Sequence, residues 1–166
     1  MIRPMLALTA AAALCAATFG CSGSPGGPTI NNKLNSPELA PVVSTDILAR
    51  EPIANTATVK HILISWHDLA DAFGGRLDPR AEKRSKADAE AEVRSVLKQL
   101  QDGADFEAMM NAHSEDTGSA SSGRAFTVTP DAQLVIEFRQ LSLRLRVGEF
   151  GVCQSDFGFH IIKRIT

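Results

Sequence analysis

Two of the four histidines in this 166-residue chain lie inside apolar runs. His61 sits in Val59-Lys60-His61-Ile62-Leu63-Ile64, and His160 in Phe157-Gly158-Phe159-His160-Ile161-Ile162-Lys163. Both runs are rich in β-branched and aromatic residues and read as strands. A neutral imidazole offers one donor and one acceptor, so among apolar neighbours it needs specific partners and can hold or pass a proton. Two histidines without further ligands at metal spacing do not make a zinc site, and no metal or cofactor is expected. His67 and His113 fall in segments that read as loop or surface. Met109 and Met110 read as core filler on a helix.

The elements around these residues follow from periodicity. A strand at Val59–Ile64 is followed by a polar loop holding Gly74-Gly75-Arg76-Leu77-Asp78-Pro79-Arg80. Ala89, Val93, Val96 and Leu100 recur at helical spacing. Ser85 with Asp88 three residues on reads as a capping box, and Gly103 as a stop. Asp105 can cap a second helix that turns Phe106, Met109 and Met110 inward. Ser114 to Gly123 reads as a loop of small residues. Ala125–Val128 is a strand, Gln133–Leu141 a short helix, and Val152–Ser155 and Gly158–Ile165 are the closing strands. The order β-α-α-β-α-β-β describes an α+β domain, a four-stranded antiparallel sheet with helices packed on it.

The N-terminus reads as an address. Arg3 precedes an apolar run from Met5 to Phe19, shorter than the roughly 20 residues of a spanning helix. The run ends at Gly20-Cys21, which resembles a bacterial lipobox although Thr18 and Phe19 depart from it; ordinary cleavage near Ala16 or Ala17 is the alternative. Residues 1–20 would then be a lipoprotein signal peptide and Cys21 the lipidated N-terminus. Two or three acyl chains, at about 0.8 kcal/mol per buried CH₂, anchor stably. Residues 21–55, rich in Ser, Pro, Gly, Asn and Thr, read as a flexible tether, and 56–166 as the folded domain. Within the tether, Val42-Val43 and Ile47-Leu48 have no assignable position. Of the three cysteines, Cys15 would be removed and Cys21 lipidated, which would leave Cys153 without a disulfide partner; it reads as a small buried residue on a strand. A net charge of -2 gives no basis for binding nucleic acid.

Four blocks carry a family resemblance. They are Ser114-Glu115-Asp116-Thr117-Gly118-Ser119-Ala120-Ser121-Ser122-Gly123, then Gln133-Leu134-Val135-Ile136-Glu137-Phe138, then Val147-Gly148-Glu149-Phe150, then Asp156-Phe157-Gly158-Phe159-His160-Ile161-Ile162. In this order, with His61 upstream, they resemble the parvulin family of peptidyl-prolyl cis–trans isomerases from Val59 to Thr166. Two places depart from the family: the final hairpin is one residue short between Phe150 and Val152, and a turn is altered. The turn's family pattern G-G-D-L-G is here Gly123-Arg124-Ala125-Phe126-Thr127.

The resemblance implies a prolyl isomerase assisting the folding of exported proteins, with proline-containing segments of unfolded chains as partners. It implies that His61 and His160 face each other across neighbouring strands and orient Asp116 and Ser155. Asp116 stands where the family places a cysteine or an aspartate; its alternative role is to shape the loop by accepting backbone amides. Leu134, Phe138 and Phe126 would wall the proline pocket, and Gln133 would reach the substrate backbone. Recognition of phosphate is not implied, because Arg76, Arg80, Lys83 and Arg84 do not align with the basic cluster of the phospho-specific members. A monomer is expected, anchored through Cys21 in the cell envelope, on the outer membrane facing the periplasm. The altered turn motivates the alternative, a non-catalytic peptide-binding or holdase module on the same scaffold.

Overall fold

A computed structural model describes residues 41–166. Its strands are β1 (Ala57–Ile64), β2 (Phe126–Val128), β3 (Phe150–Ser155) and β4 (Gly158–Arg164), all antiparallel in the order β2-β1-β4-β3. The helices are α1 (Thr45–Leu48), α2 (Lys86–Gln101), α3 (Phe106–His113), α4 (Thr117–Ser122) and α5 (Ile136–Ser142). The α+β architecture expected from the sequence is the one observed.

Local chemistry accounts for the longer helices. Ser85 Oγ accepts from the Asp88 amide at 3.2 Å while Asp88 Oδ2 accepts from the Ser85 amide at 3.1 Å, closing the capping box of α2. Asp105 caps α3 through the Ala108 amide at 2.9 Å. Alternation along the strands then splits the sheet into two faces. Ile62, Ile64, Val152, Phe159 and Ile161 point to one face, under Val93 and Val96 of α2 and Phe106 and Met110 of α3. Val59, Cys153 and Ile162 point to the other, under Phe138 and Leu141 of α5. His61 shares the face of Val59, and His160 that of Ile162, so both histidines lie on the α5 side. Their pairing is diagonal, since His61 is opposite Ile162 and His160 opposite Leu63.

Besides α5, which begins at Ile136 rather than Gln133, three segments differ from the sequence reading. The stretch expected to be a small-residue loop holds helix α4, capped by Asp116 and closed by Gly123 in the left-handed region. The polar loop after β1 contains short 3₁₀ helices at His67–Phe73 and Ala81–Lys83, and its Arg84 is buried. Residues 41–55, assigned to the tether, are docked. The Ser44 amide donates to Val152 O at 2.9 Å, Ser44 Oγ accepts from the Val152 amide at 3.0 Å, and Ile47 is buried. Gly151 makes room, because a Cβ there would lie 3.0 Å from Ile47 Cδ1. The folded domain therefore begins upstream of residue 56. The signal peptide, Cys21 and the tether up to residue 40 lie outside the described residues.

Candidate active site

β1 and β4 bring the two imidazoles together. Their Nδ1 atoms are 3.2 Å apart, and the ring planes differ by 16°. His61 Nε2 is 2.9 Å from Asp116 Oδ2, and His160 Nε2 is 2.7 Å from Ser155 Oγ. The Phe157 amide donates to Ser155 Oγ at 3.1 Å. The carboxylate end of this chain sets its direction, because an ionised carboxylate can only accept. With both rings neutral, His61 Nε2–H donates to Asp116, His160 Nδ1–H donates to His61 Nδ1, and Ser155 donates to His160 Nε2. Every link is satisfied with both rings neutral, and the network assigns the tautomers.

These contacts shift two groups of the chain. The His61 hydrogen bond, joined by those from Ser119, holds the Asp116 carboxyl well below the usual carboxylate range against the opposing effect of partial burial. Burial, with His61 alongside, pushes His160 down to about 3. Asp116 has two jobs at once. Its Oδ1 accepts the Ser119 amide at 3.2 Å and so caps α4, while Oδ2 accepts from His61 and, at 2.6 Å, from Ser119 Oγ. The two readings of Asp116 open in the sequence are thus compatible in one side chain.

A second set of bonds frames this chain. Glu115, the neighbour of Asp116, accepts from the Ser65 amide at 2.6 Å and from Arg84 Nη1. Ser65 Oγ donates to Phe157 O at 2.6 Å, so Phe157 is held at both its carbonyl and its amide. Gly158, with φ 132°, lets the turn pass, since a Cβ there would come 2.6 Å from Ile64 O. Arg84 also reaches Glu92 at 2.7 Å, tying the frame to α2. Burial raises the Glu115 carboxyl, against the bonds it accepts from the Ser65 amide and Arg84.

Beside the histidines lies a cavity of about 280 Å³. Phe126, Leu134 and Phe138 wall it, Gln133 stands at its edge, and Asp116, His61 and His160 supply its polar side. The phenyl rings of Phe126 and Phe138 meet His61 edge-on, each at 5.2 Å between centroids. The structure thus gathers every expected site residue of the domain except Ser155 on the cavity wall. Ser155 stands behind His160 and touches the cavity only through it. Gln133 is exposed, and its amide reaches Asp131 O at 3.5 Å.

Sequence reasoning missed several contributors. Leu63, Val135 and Phe157 also line the cavity. Ser119 bonds Asp116, and its position three residues after an aspartate was a legible capping signal. The frame of Ser65, Arg84 and Glu115 had no local signal, because its members are distant in the chain. Cys153 is buried on β3, as read, and burial pushes its thiol up to about 12. Among the described residues no cluster of His, Cys, Asp and Glu has metal-binding geometry.

A four-stranded antiparallel sheet in the order β2-β1-β4-β3 with helices packed on it has its counterpart among known proteins. Residues 45–165 match the family model described as PPIC-type PPIASE domain, and the chain belongs to that family of peptidyl-prolyl isomerases. The Foldase protein PrsA of Geobacillus kaustophilus is 35% identical over 122 residues, covering 73% of this chain and 43% of that protein. The Chaperone SurA of Saccharophagus degradans is 29% identical over 115 residues, covering 69% of this chain and 24% of that protein. This chain spans less than half the length of these curated relatives. In fold it is similar to the solution structure of TbPIN1, with a TM-score of 0.58 at 20% identity, covering 69% of this chain and 100% of that one. The peptidyl-prolyl isomerase Ess1 of Candida albicans gives 0.58 at 18% identity, covering 68% and 63%.

Proposed function

We propose that this chain isomerises X-Pro bonds in exported proteins, with Asp116 and the His61–His160 pair as the polar side of its site and Leu134, Phe138 and Phe126 as the grip on the proline ring. The observation that carries this reading is the meeting of the Asp116–His61–His160–Ser155 hydrogen-bonded chain with an apolar cavity large enough for a prolyl ring.

The reaction breaks no covalent bond. Its barrier of about 18–20 kcal/mol is amide resonance, lost as the bond twists. Uncatalysed exchange takes tens to hundreds of seconds, so turnover in about ten milliseconds needs roughly 10⁴-fold, or about 5.5 kcal/mol. Resonance places negative charge on the prolyl carbonyl oxygen, and the twisted state removes it. A carboxylate held near that oxygen raises the planar state more than the twisted one, so Asp116 lowers the barrier. His61 and Ser119 keep that carboxylate ionised and aimed. His160 and Ser155 hold His61 in the tautomer that donates to it. The phenyl and leucyl walls hold the ring in both states and supply affinity.

The decisive experiment is NMR exchange on a panel of X-Pro peptides. Exchange above background, reduced by substitution of Asp116, supports catalysis. Binding of the same peptides without exchange replaces it with the holdase alternative.

The cellular placement is part of the proposal. Cleavage before Cys21 and lipidation would anchor the domain in the cell envelope, with residues 21–40 as the tether and the absence of an aspartate after Cys21 favouring the outer membrane. The relatives named as a foldase and a chaperone support unfolded chains as clients. Cys21→Ser should release the protein from the membrane fraction, and an unchanged fraction refutes the anchor.

A further inference from the structure

Arg124 stands at the rim of the proposed proline pocket, two residues beyond the end of α4. Its amide donates to Ser119 O at 3.1 Å, so its backbone is fastened to the helix that Asp116 caps. Its guanidinium lies 5.1 Å from the centroid of Phe126, the ring that walls the cavity and meets His61 edge-on. The side chain is exposed, and among the described residues it has no carboxylate partner within salt-bridge distance. The acidic groups around it are engaged elsewhere. Glu107, whose carboxylate would lie 4.0 Å from a Cβ at Gly123, is bonded to Lys60, and Asp116 accepts from His61 and Ser119.

A guanidinium held over a ring face keeps N–H donors for another group, and its fork matches a carboxylate. Arg124-Ala125 stands where the resembled pattern has Gly-Asp, so this segment carries a positive charge and lacks a negative one.

We propose that Arg124 and the Phe126 ring form an anion-binding subsite that takes the side-chain carboxylate of a Glu or Asp flanking the substrate proline. This rests on the isomerase reading and adds a substrate class to it. Unit charges about 5–6 Å apart in a watery rim attract enough for a three- to ten-fold preference, roughly, at low salt. At about 0.5 M salt the preference should fall below two-fold.

The test is kcat/KM by NMR exchange for otherwise identical peptides carrying Glu, Gln, Lys or phosphoserine on either side of the proline. The wild type should favour Glu over Gln and Gln over Lys, on one side of the proline. Arg124→Gln should level that order, and Arg124→Glu should invert it, with thermal melting confirming that each variant folds. Equal rates for Glu, Gln and Lys peptides overturn the subsite while leaving the isomerase reading standing. A response to phosphoserine alone, with Glu no better than Gln, overturns the carboxylate assignment. If no peptide exchanges, the isomerase reading falls, and dissociation constants for the same panel then decide the subsite by the same ordering.

Discussion

The two faces of one sheet do opposite things with the same strands. On the α2–α3 face, β1 and β4 present Ile62, Ile64, Phe159 and Ile161, and two capped helices close over them. On the α5 face, the same strands present His61, Leu63 and His160 beneath a short helix that leaves a cavity open. One face is a dry, closed core that supplies stability. The other holds a polar chain and is left accessible. Ring nitrogens buried there are tolerable only because each has a partner, and no described buried side-chain polar atom lacks one. The lesson is that a single residue step along a strand separates scaffold from site.

The largest expected effect breaks the scaffold side alone. Phe159 is fully buried against Trp66, with ring centroids 5.1 Å apart. Phe159→Ala should cost about 3–5 kcal/mol in chemical denaturation, with near-normal activity per folded molecule. Lost activity in the folded fraction at that cost would show that the faces are coupled. On the other face the order reverses. Asp116→Asn keeps a capping oxygen for α4 but removes the charge. We expect exchange rates to fall about 10- to 100-fold, roughly 1.4–2.7 kcal/mol, with peptide affinity within a few-fold. Equal losses in affinity and rate would instead make Asp116 a binding group.

Acid should also distinguish the faces. His160 is pushed down to about 3, whereas an unfolded histidine titrates near about 6.5. Between those values the unfolded chain binds a proton that the folded chain refuses. Its contribution to stability is therefore fully present above about pH 6.5 and is lost as the pH falls toward 3, by up to about 1.4 kcal/mol per pH unit. The Asp116 carboxyl, lowered in the fold, acts in the same direction once the pH drops through the ordinary carboxylate range near about 3.9. Denaturation midpoints measured from pH 7 to 4 should fall steadily, and His160→Phe should flatten the upper part of that slope. A wild-type slope unchanged by this substitution would mean that other groups carry it.

The smallest effect is expected at Cys153, which lies on the site face but not in the site. Its buried thiol, pushed up to about 12, should resist a thiol reagent at pH 8 until the chain unfolds. Rapid labelling of the native protein would show that this face opens more than its cavity implies.

Much of this was legible locally. The strand runs, the heptad-like spacing of α2, the Ser85–Asp88 box and the Asp105 cap depend on residues within a turn of one another, and each element formed where its own residues favoured it. The histidine pair, Asp116 and the pocket residues were located through motif order, a signal that lives in the chain itself. Helix α4 was not legible. Thr117-Gly118-Ser119-Ala120-Ser121-Ser122 has weak helix propensity, and the segment is helical because Asp116 caps it and Ser119 and Ala120 are buried. The docking of Ile47 was equally silent, because it depends on the space left at Gly151.

Sequence alone thus determined the elements, the faces they would bury and the residue types available for chemistry, because propensity, capping and alternation act over a few residues. Tertiary structure alone decided which nitrogen meets which oxygen. His61 and His160 are 99 positions apart, and His61 and Asp116 are 55 apart. Only the β1–β4 register and the fold of α4 onto β1 give those groups a common distance, and the carboxylate at one end requires His61 to donate to it.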